Sequence, residues 1–479
     1  MMGRKVLAAK SGRAACSCAA AGGGGCSIGV FNAEKQRSRV AESFSTGLTG
    51  LREASVKPAK TKPSGVAWLG DIPDGWKMMV GKHVYTVQAG APFDSTKFSN
   101  VSGFPLVRIR DITSGKSETY YTGDYEAKDV VHDGDLLVGM DGDFHVRWWQ
   151  GGEALLNQRC CKIQPRDVIT SRFAYYFLPF ALADINAIAY ATTVKHLSNW
   201  DLENVRIPLP PLPEQRAIAN YLDEKCGAID AAVAEAKKGI EEYKAWKTSL
   251  IDDVVCNGIV RHRHRKETGE VWLADIPIEW DFVQIRYLFA LRDERNDKPL
   301  KDVNLISLYT DKGVVQHADL EKTTGNKAST ADGYKLVYEN DIVVNIILCW
   351  MGAVGRSAYN GVTSPAYDVY RPIDSAKVLS RYYHYLFRTP RFNGKCYEEG
   401  RGIMMMRWRT YSSEFRAIKV PVPPFEEQRA IADYLDEKCS AIDAMVAEKN
   451  ALIADLEAYK KSLIYETVTG KREVASNSK

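Results

Sequence analysis

Residues Pro208–Gly258 read PLPPLPEQRAIANYLDEKCGAIDAAVAEAKKGIEEYKAWKTSLIDDVVCNG, and Pro421–Gly470 read PVPPFEEQRAIADYLDEKCSAIDAMVAEKNALIADLEAYKKSLIYETVTG. From Glu214 to Ile251 the first copy runs in register with Glu427 to Ile464, at an offset of 213 (427 − 214). An interval that long marks duplication of a domain, not a solenoid repeat. Each copy reads as a long helix. In the first, Leu222, Cys226, Ile229, Val233, Ala236, Ile240 and Tyr243 step by alternating fours and threes, with Leu250 and Val254 resuming the seam. In the second, Leu435, Cys439, Ile442, Val446, Ile453, Leu456 and Leu463 follow the same track. This is the 3.5-residue spacing of a coiled coil. Pro213 suits a first helical turn, Glu214, Glu426 and Glu427 place negative charge at the positive end of the helix dipole, and Gly258 and Gly470 suit stops. About forty residues at 1.5 Å each make rods about 60 Å long. A narrow apolar seam needs a partner. Each helix could lie on its own domain, but the second copy supplies a match, and an intramolecular pair is the expected arrangement.

Working outward, Trp68-Leu-Gly-Asp-Ile-Pro-Asp-Gly-Trp76 recurs as Trp272-Leu-Ala-Asp-Ile-Pro-Ile-Glu-Trp280, so the duplication covers the start of each half as well. Between these markers the halves diverge over a shared skeleton. Gly134-Asp135-Leu-Leu-Val138 and Asn340-Asp341-Ile-Val-Val344 each put a turn before a short apolar strand. Leu106–Ile109 and Asn304–Leu308 read as earlier strands, and Arg172–Tyr190 and Ala376–Phe387 as helices. The fold class is therefore mixed α/β: two duplicated globules joined by two long helices. Globules preceding their own rods, related by a pseudo-twofold, imply antiparallel pairing. That places Cys226 and Cys439 about 27 Å apart if each lies about nine residues from the middle of its rod. The expected divisions are a globule over 61–212, a rod over 213–257, a basic linker over 258–270, a globule over 271–425, a rod over 426–470 and a disordered tail over 471–479. Residues 1–60, rich in Ala, Gly, Ser, Lys and Arg, read as a disordered extension or a mis-assigned start.

Composition narrows the class. The chain has 479 residues, 45% of them hydrophobic, and a formal charge of +4, which permits nucleic-acid binding without arguing for it. No run of eighteen apolar residues suggests a membrane span. Ten cysteines, three of them before residue 30, show no C-x-x-C spacing, so a reducing, cytoplasmic setting is expected. His262 and His264, in the run Arg261-His-Arg-His-Arg-Lys266, lack a third ligand nearby, and no metal site is expected. For that run, phosphate contact and plain solvation both stand.

The duplicated plan resembles the specificity subunit of type I restriction-modification systems. The KPSGVAWLGDIPDGW opening at Lys62 and the PLPPLPEQRAIA-x-YLDEK run with its copy at Pro421 carry the resemblance, which spans roughly residues 60 to 470. It implies two target recognition domains, each reading one part of a bipartite double-stranded DNA target, and paired helices that set the spacing. It also implies partners: two modification subunits that methylate adenine, and restriction subunits that cleave DNA. No catalysis, cofactor or membrane contact is implied for the chain itself. An adenine methyltransferase would carry Asn/Asp-Pro-Pro-aromatic; Val422-Pro-Pro-Phe425 lacks the polar first residue and its counterpart Leu209-Pro-Pro-Leu212 lacks the aromatic. Gly115-Lys116-Ser117 mimics the end of a phosphate loop, but position 110 is Arg where Gly is required. Glu235-Ala-Lys237 lies on the rod as ordinary solvated charge.

Polar and basic residues in Gly-containing loops beside the strands are the DNA-contact candidates. In the first globule these are Arg110, Thr113, Lys116, Arg147, Lys195 and His196, with Trp148 and Trp149 read as core. In the second they are Tyr309, Lys312, Arg356, Arg401, Arg407 and Arg409, with Trp408 as an aromatic neighbour. For helix pairing the candidates are Leu222, Ile229, Val233, Ile240, Leu250, Leu435, Ile442, Val446, Ile453, Leu456 and Leu463. Two other readings stay open at this level: the recognition part of a fused restriction enzyme, whose catalytic domains are missing here, and a coiled-coil scaffold without sequence-specific DNA binding.

Overall fold

Two helices organise the molecule, Leu212–Asn257 with 46 residues and Phe425–Val468 with 44. A computed structural model describes residues 60–188, 196–317, 330–402 and 408–474. Residues 1–59 and 475–479, on which the expected extension and most of the expected tail fall, lie outside the described residues, as do Lys195 and Arg407. Pro213 sits in the first turn of the first rod, where its missing N–H costs nothing. Gly258, at φ +75°, ends that rod, and Gly470, at φ +71°, follows the second.

The rods run antiparallel. Lys247 pairs with Asp443 at 2.6 Å and Lys460 with Asp230 at 2.7 Å. The two pairs are one interaction seen twice, since 460 − 247 and 443 − 230 both equal 213. Each sums to 690 (247 + 443 and 230 + 460), so the pseudo-twofold crosses the first rod between Lys238 and Gly239. That point lies about four residues beyond the middle of the first helix. Cys226 therefore sits level with residue 464, 25 residues from Cys439 (464 − 439), or about 37 Å at 1.5 Å per residue. The 27 Å expected from sequence is too short because it took the helix midpoint as the axis.

The globules share a frame that their sequences hide. In the first, a four-stranded antiparallel sheet runs in the order Val146–Trp148, Leu136–Gly139, Cys160–Pro165, Tyr85–Ala89. In the second the order Val354–Arg356, Ile342–Asn345, Tyr367–Pro372, Phe289–Arg292 is the same. The second strand of each list is buried along its whole length, which selects Leu-Leu-Val and Ile-Val-Val. Both are entered through a left-handed residue, Gly134 at φ +90° and Asn340 at φ +71°, the residue types that tolerate it. The following Asp135 and Asp341 each accept a backbone N–H at 2.9 Å to close the turn.

A second layer differs between halves. Five strands of the first globule pair in the order Phe98–Ser99, Thr119–Tyr121, Phe104–Val107, Ala154–Leu156, Val130–Val131. In the second globule Ile306–Tyr309 pairs with Gly313–Gln316 and Lys335–Val337 with Gly361–Thr363, a single Leu305–Val362 bridge joining them. Both early strands are shifted from their expected positions. Ile109 opens a short helix, Ile109–Ser114, because Asp111 caps back onto the Arg108 N–H at 2.9 Å. The expected helices are Ser171–Ile188 and Ser380–Leu386; Pro390, favoured at a first turn, starts a further helix to Glu399 that the sequence reading missed.

Each globule is seated on both rods. Phe173 and Phe177 of the first pack with Leu222 and Ile229 of its own rod, and with Leu456, Leu463 and Val468 of the other. Phe387 and Phe392 of the second pack with Leu435 and with Val254, Val255 and Cys256. The repeated EQR motif pins both seats. Trp76 Nε1 donates to Glu214 at 2.9 Å, and Trp280 Nε1 to Glu427 at 3.0 Å. Buried Gln215 accepts from the Thr170 N–H and donates to the Val168 and Pro210 carbonyls; Gln428 does the same with Leu379, Lys377 and Pro423. A buried amide is tolerated because its hydrogen bonds are made.

The basic run between the halves is held in place. Arg261 pairs with Asp253 at 2.5 Å, Arg263 with Glu427 at 2.8 Å and Arg265 with Asp275 at 2.5 Å. Arg265–Glu270 is a strand paired with Leu273–Pro277. Each of these arginines is paired within the chain. Residues 471–474 are also engaged, Arg472 pairing with Glu466 at 3.1 Å.

Candidate nucleic-acid interface

Most candidate side chains lie outside the shared frame; Arg147 and Arg356 lie on its edge strands. In the first globule the helix Ile109–Ser114 carries Arg110 and Thr113, and Lys116 follows the left-handed Gly115 at φ +75°. Arg110 Nη2 donates to Thr119 Oγ1 at 2.8 Å, while Lys116 is exposed. Arg147 is engaged within its own globule. Its Nε donates to the Ile112 carbonyl at 2.7 Å and its Nη2 to the Thr113 carbonyl, so it holds the negative end of the short helix. His196, also exposed, meets Asp141 through Nδ1 at 2.7 Å.

In the second globule the strand Ile306–Tyr309 turns back at once through Thr310-Asp311-Lys312, with Tyr309 and Lys312 exposed at the turn. Arg388 clamps that turn. One Nη donates to the carbonyls of Thr310 and Asp311 at 3.1 and 2.8 Å, the other to Val354 at 3.1 Å. Burial depresses the Arg388 pKa, as expected of a guanidinium held mainly by carbonyls. Arg356 donates from Nη1 to Asn340 at 3.0 Å, and its N–H donates to His384 Nδ1 at 3.1 Å. That bond fixes the neutral tautomer with the proton on Nε2. Burial first, then the Arg388 and Arg356 charges, push the His384 pKa down to about 3.

A third cluster is separate. Arg401 and Arg409 form an isolated backbone bridge across the 402–408 segment, and Arg401 pairs with Glu414 at 3.1 Å. Trp408 stacks on Tyr397 with centroids 4.9 Å apart. Among the described residues no hydrogen bond or ion pair links this segment to the Tyr309–Lys312 turn. Trp149 is fully buried; Trp148 is half-buried under the Arg172 guanidinium, 4.7 Å from its ring.

Of the pairing candidates, Leu222, Ile229, Val233, Ile240, Leu435, Ile442, Leu456 and Leu463 are buried, whereas Leu250, Val446 and Ile453 are half-buried. Pro424 and Phe425 of the Pro-Pro-aromatic lookalike form the entry to the second rod. Among the described residues no three His, Cys, Asp or Glu side chains gather to hold a metal ion, and no helix is long and apolar enough to cross a membrane. Sequence reading missed His384 and Arg388. The signal was present: Ser171-Arg-Phe-Ala-Tyr-Tyr-Phe177 recurs as Ser380-Arg-Tyr-Tyr-His-Tyr-Leu386, which marks the repeated helix that holds His384 and ends two residues before Arg388.

Comparison with known proteins agrees with this layout. The family described as type I restriction modification DNA specificity domain matches residues 73–238 and again 277–454. The type I restriction enzyme EcoBI specificity subunit of Escherichia coli is 28% identical over 432 residues, covering 84% of this chain and 87% of that protein. The MjaVIII specificity subunit of Methanocaldococcus jannaschii is 22% identical over 371 residues, 72% of this chain and 80% of that one. A solved structure concerned with complex assembly and conformational transition of the type I R-M system shares the fold, with a TM-score of 0.60 at 16% identity over 83% of this chain and 98% of its own.

Proposed function

The chain belongs to the type I restriction modification DNA specificity family, and we propose that each globule reads one half of a bipartite double-stranded DNA target while the rods hold the two globules at a fixed separation. It is the DNA-recognition subunit of a type I restriction-modification system, without catalytic activity of its own. Its working divisions are recognition globules over 61–212 and 271–425 and rods over 213–257 and 426–470. Two modification subunits dock on the rods and methylate adenine, restriction subunits cleave, and the assembly works in the cytoplasm.

One observation carries this reading. Beside a four-stranded frame of the same strand order, the connection after the corresponding second-layer strand is a helix with Arg110 and Thr113, followed by Lys116, in one half and a turn with Tyr309 and Lys312 in the other. Different base edges demand different donors and acceptors, whereas shared partners demand sameness. The rods, near-identical over Glu214–Ile251 and Glu427–Ile464, supply the sameness. Mapping methyladenine across the DNA of cells carrying the intact system tests the proposal. The expected motif has two short specific parts separated by a non-specific spacer. Methylation independent of this chain's sequence would favour the protein-only scaffold.

A further inference from the structure

Each globule is tied to its rod by the same three side chains. In the helix Ser171–Ile188, Arg172 and Tyr176 stand four residues apart, hence on one face. Both meet Asp223: Tyr176 Oη donates to Oδ1 at 2.6 Å and Arg172 forms an ion pair. In the helix Ser380–Leu386, Arg381 and Tyr385 repeat the spacing and meet Asp436, Tyr385 at 2.5 Å; Arg381 also pairs with Asp433 at 2.8 Å, where the first rod has Asn220. Asp223 and Asp436 are equivalent positions of the rods, since 436 − 223 = 213.

The same helices reach the frame strand beside the candidate DNA contacts. Trp148 pairs with Leu136 and Arg356 with Ile342, the same position of the shared sheet. Arg172 lies over the Trp148 ring, and Tyr175 meets that ring edge-on at 6.5 Å. In the second half His384 stands where Tyr175 does, next to the aspartate-bound tyrosine, and accepts the Arg356 N–H. From each strand the path is one step long. Arg147 beside Trp148 holds the helix Ile109–Ser114, and Arg388 beyond His384 holds the Thr310–Asp311 turn.

We propose that Asp223 and Asp436 are positioning residues for DNA reading, each fixing through its Arg–Tyr pair the reading element of its own globule and of no other. This rests on the half-site reading proposed above. The brace is a local constraint more than a support of the fold. Arg172 and Asp223 are 31% and 38% exposed, and Arg381 and Asp436 32% and 48%, so removing a carboxylate leaves no deeply buried unpaired charge.

The test uses the full chain assembled with its modification subunits, carrying Asp223→Asn or Asp436→Asn. The probes are a duplex bearing the mapped target and two versions with one or the other half-site scrambled. Discrimination is the ratio of dissociation constants, scrambled over intact. Asp223→Asn is expected to lower discrimination about fivefold at one half-site and leave the other unchanged, and Asp436→Asn to do the reverse. Assembly, read by size-exclusion chromatography, stays intact in both. Tyr176→Phe and Tyr385→Phe, which remove one hydroxyl each, should move the same half-sites in the same direction by less. Equal loss at both half-sites, or loss at neither, in both pairs of variants overturns the proposal. A wild-type assembly that binds intact and scrambled duplexes alike overturns the half-site reading itself, and this proposal with it.

Discussion

In the first globule the strand Phe104–Val107 passes into the helix Ile109–Ser114; in the second, its counterpart Ile306–Tyr309 doubles back through three residues. The frame beneath these two connections is alike: order of the four-stranded sheet, left-handed entry turn, Gln215 or Gln428 in the seat, aspartate on the rod. The connection that varies is in each half held at its edge by an arginine on carbonyls, Arg147 in one case and Arg388 in the other. Such an element can change shape without disturbing the core, because backbone carbonyls are present whatever the side chains are. The rods have no such freedom, since each seals both hydrophobic cores.

The strongest way to break this contrast is from the rods. Leu222→Asp with Ile229→Asp puts two charges where both side chains are fully buried, at a cost of about 3–5 kcal/mol or more. Because Leu222 and Ile229 also meet Leu456 and Leu463 of the second rod, both globules should suffer, with assembly and methylation lost at every target. Loss at one half-site alone would mean that the rods do not act jointly.

Acid separates the halves next. The folded-state pKa of His384, about 3, lies below its unfolded value of 6.5. The stability contributed by its neutral form is therefore whole above pH 6.5 and is lost as pH falls toward 3. By pH 4.5 that amounts to roughly 3 kcal/mol. Tyr175 holds the equivalent place in the first globule, so the second should unfold first on acidification. Thermal melts of the wild type and of His384→Gln, compared at pH 7 and 4.5, should show a smaller acid loss for the variant; equal losses would refute it.

Single candidate contacts come below that. Arg409→Ala should weaken one half-site by about 1–3 kcal/mol if the guanidinium is bidentate to guanine, and Arg110→Ala the other, in binding assays with half-site-scrambled duplexes. An effect spread evenly over unrelated sequences would assign the residue to phosphate. Smallest are the cross-rod pairs. Lys247→Ala and Lys460→Ala remove symmetry-related surface ion pairs and should each cost under about 1 kcal/mol in denaturant melts, equally and additively. Unequal costs would break the pseudo-twofold.

The order of legibility follows from the same physics. The rods were readable because burial every 3.5 residues leaves a periodic mark, and the seam residues Leu222 to Ile240 are where that period puts them. The duplicated frame was half-readable, through Gly134-Asp135 and Asn340-Asp341, because a left-handed entry restricts residue type. The reading elements were not. A basic residue in a polar loop looks the same whether it faces solvent, as Lys116 does, holds a helix end, as Arg147 does, or pins a linker, as Arg263 does to Glu427. Only the partner the fold delivers distinguishes them, and that partner is distant in sequence.

In the proposed function the rods set the distance at which two independent readers meet DNA. Inserting one heptad in each rod, after Ala236 and after its equivalent Lys449, keeps the seam in phase and lengthens both rods by about 10 Å. Both globules, with their seats on the rod ends, stay as they are. Methylation mapping of the assembled variant should return the same two half-sites with a spacer longer by about three base pairs, at 3.4 Å each. An assembled, active variant that still methylated only the original spacing would contradict the account.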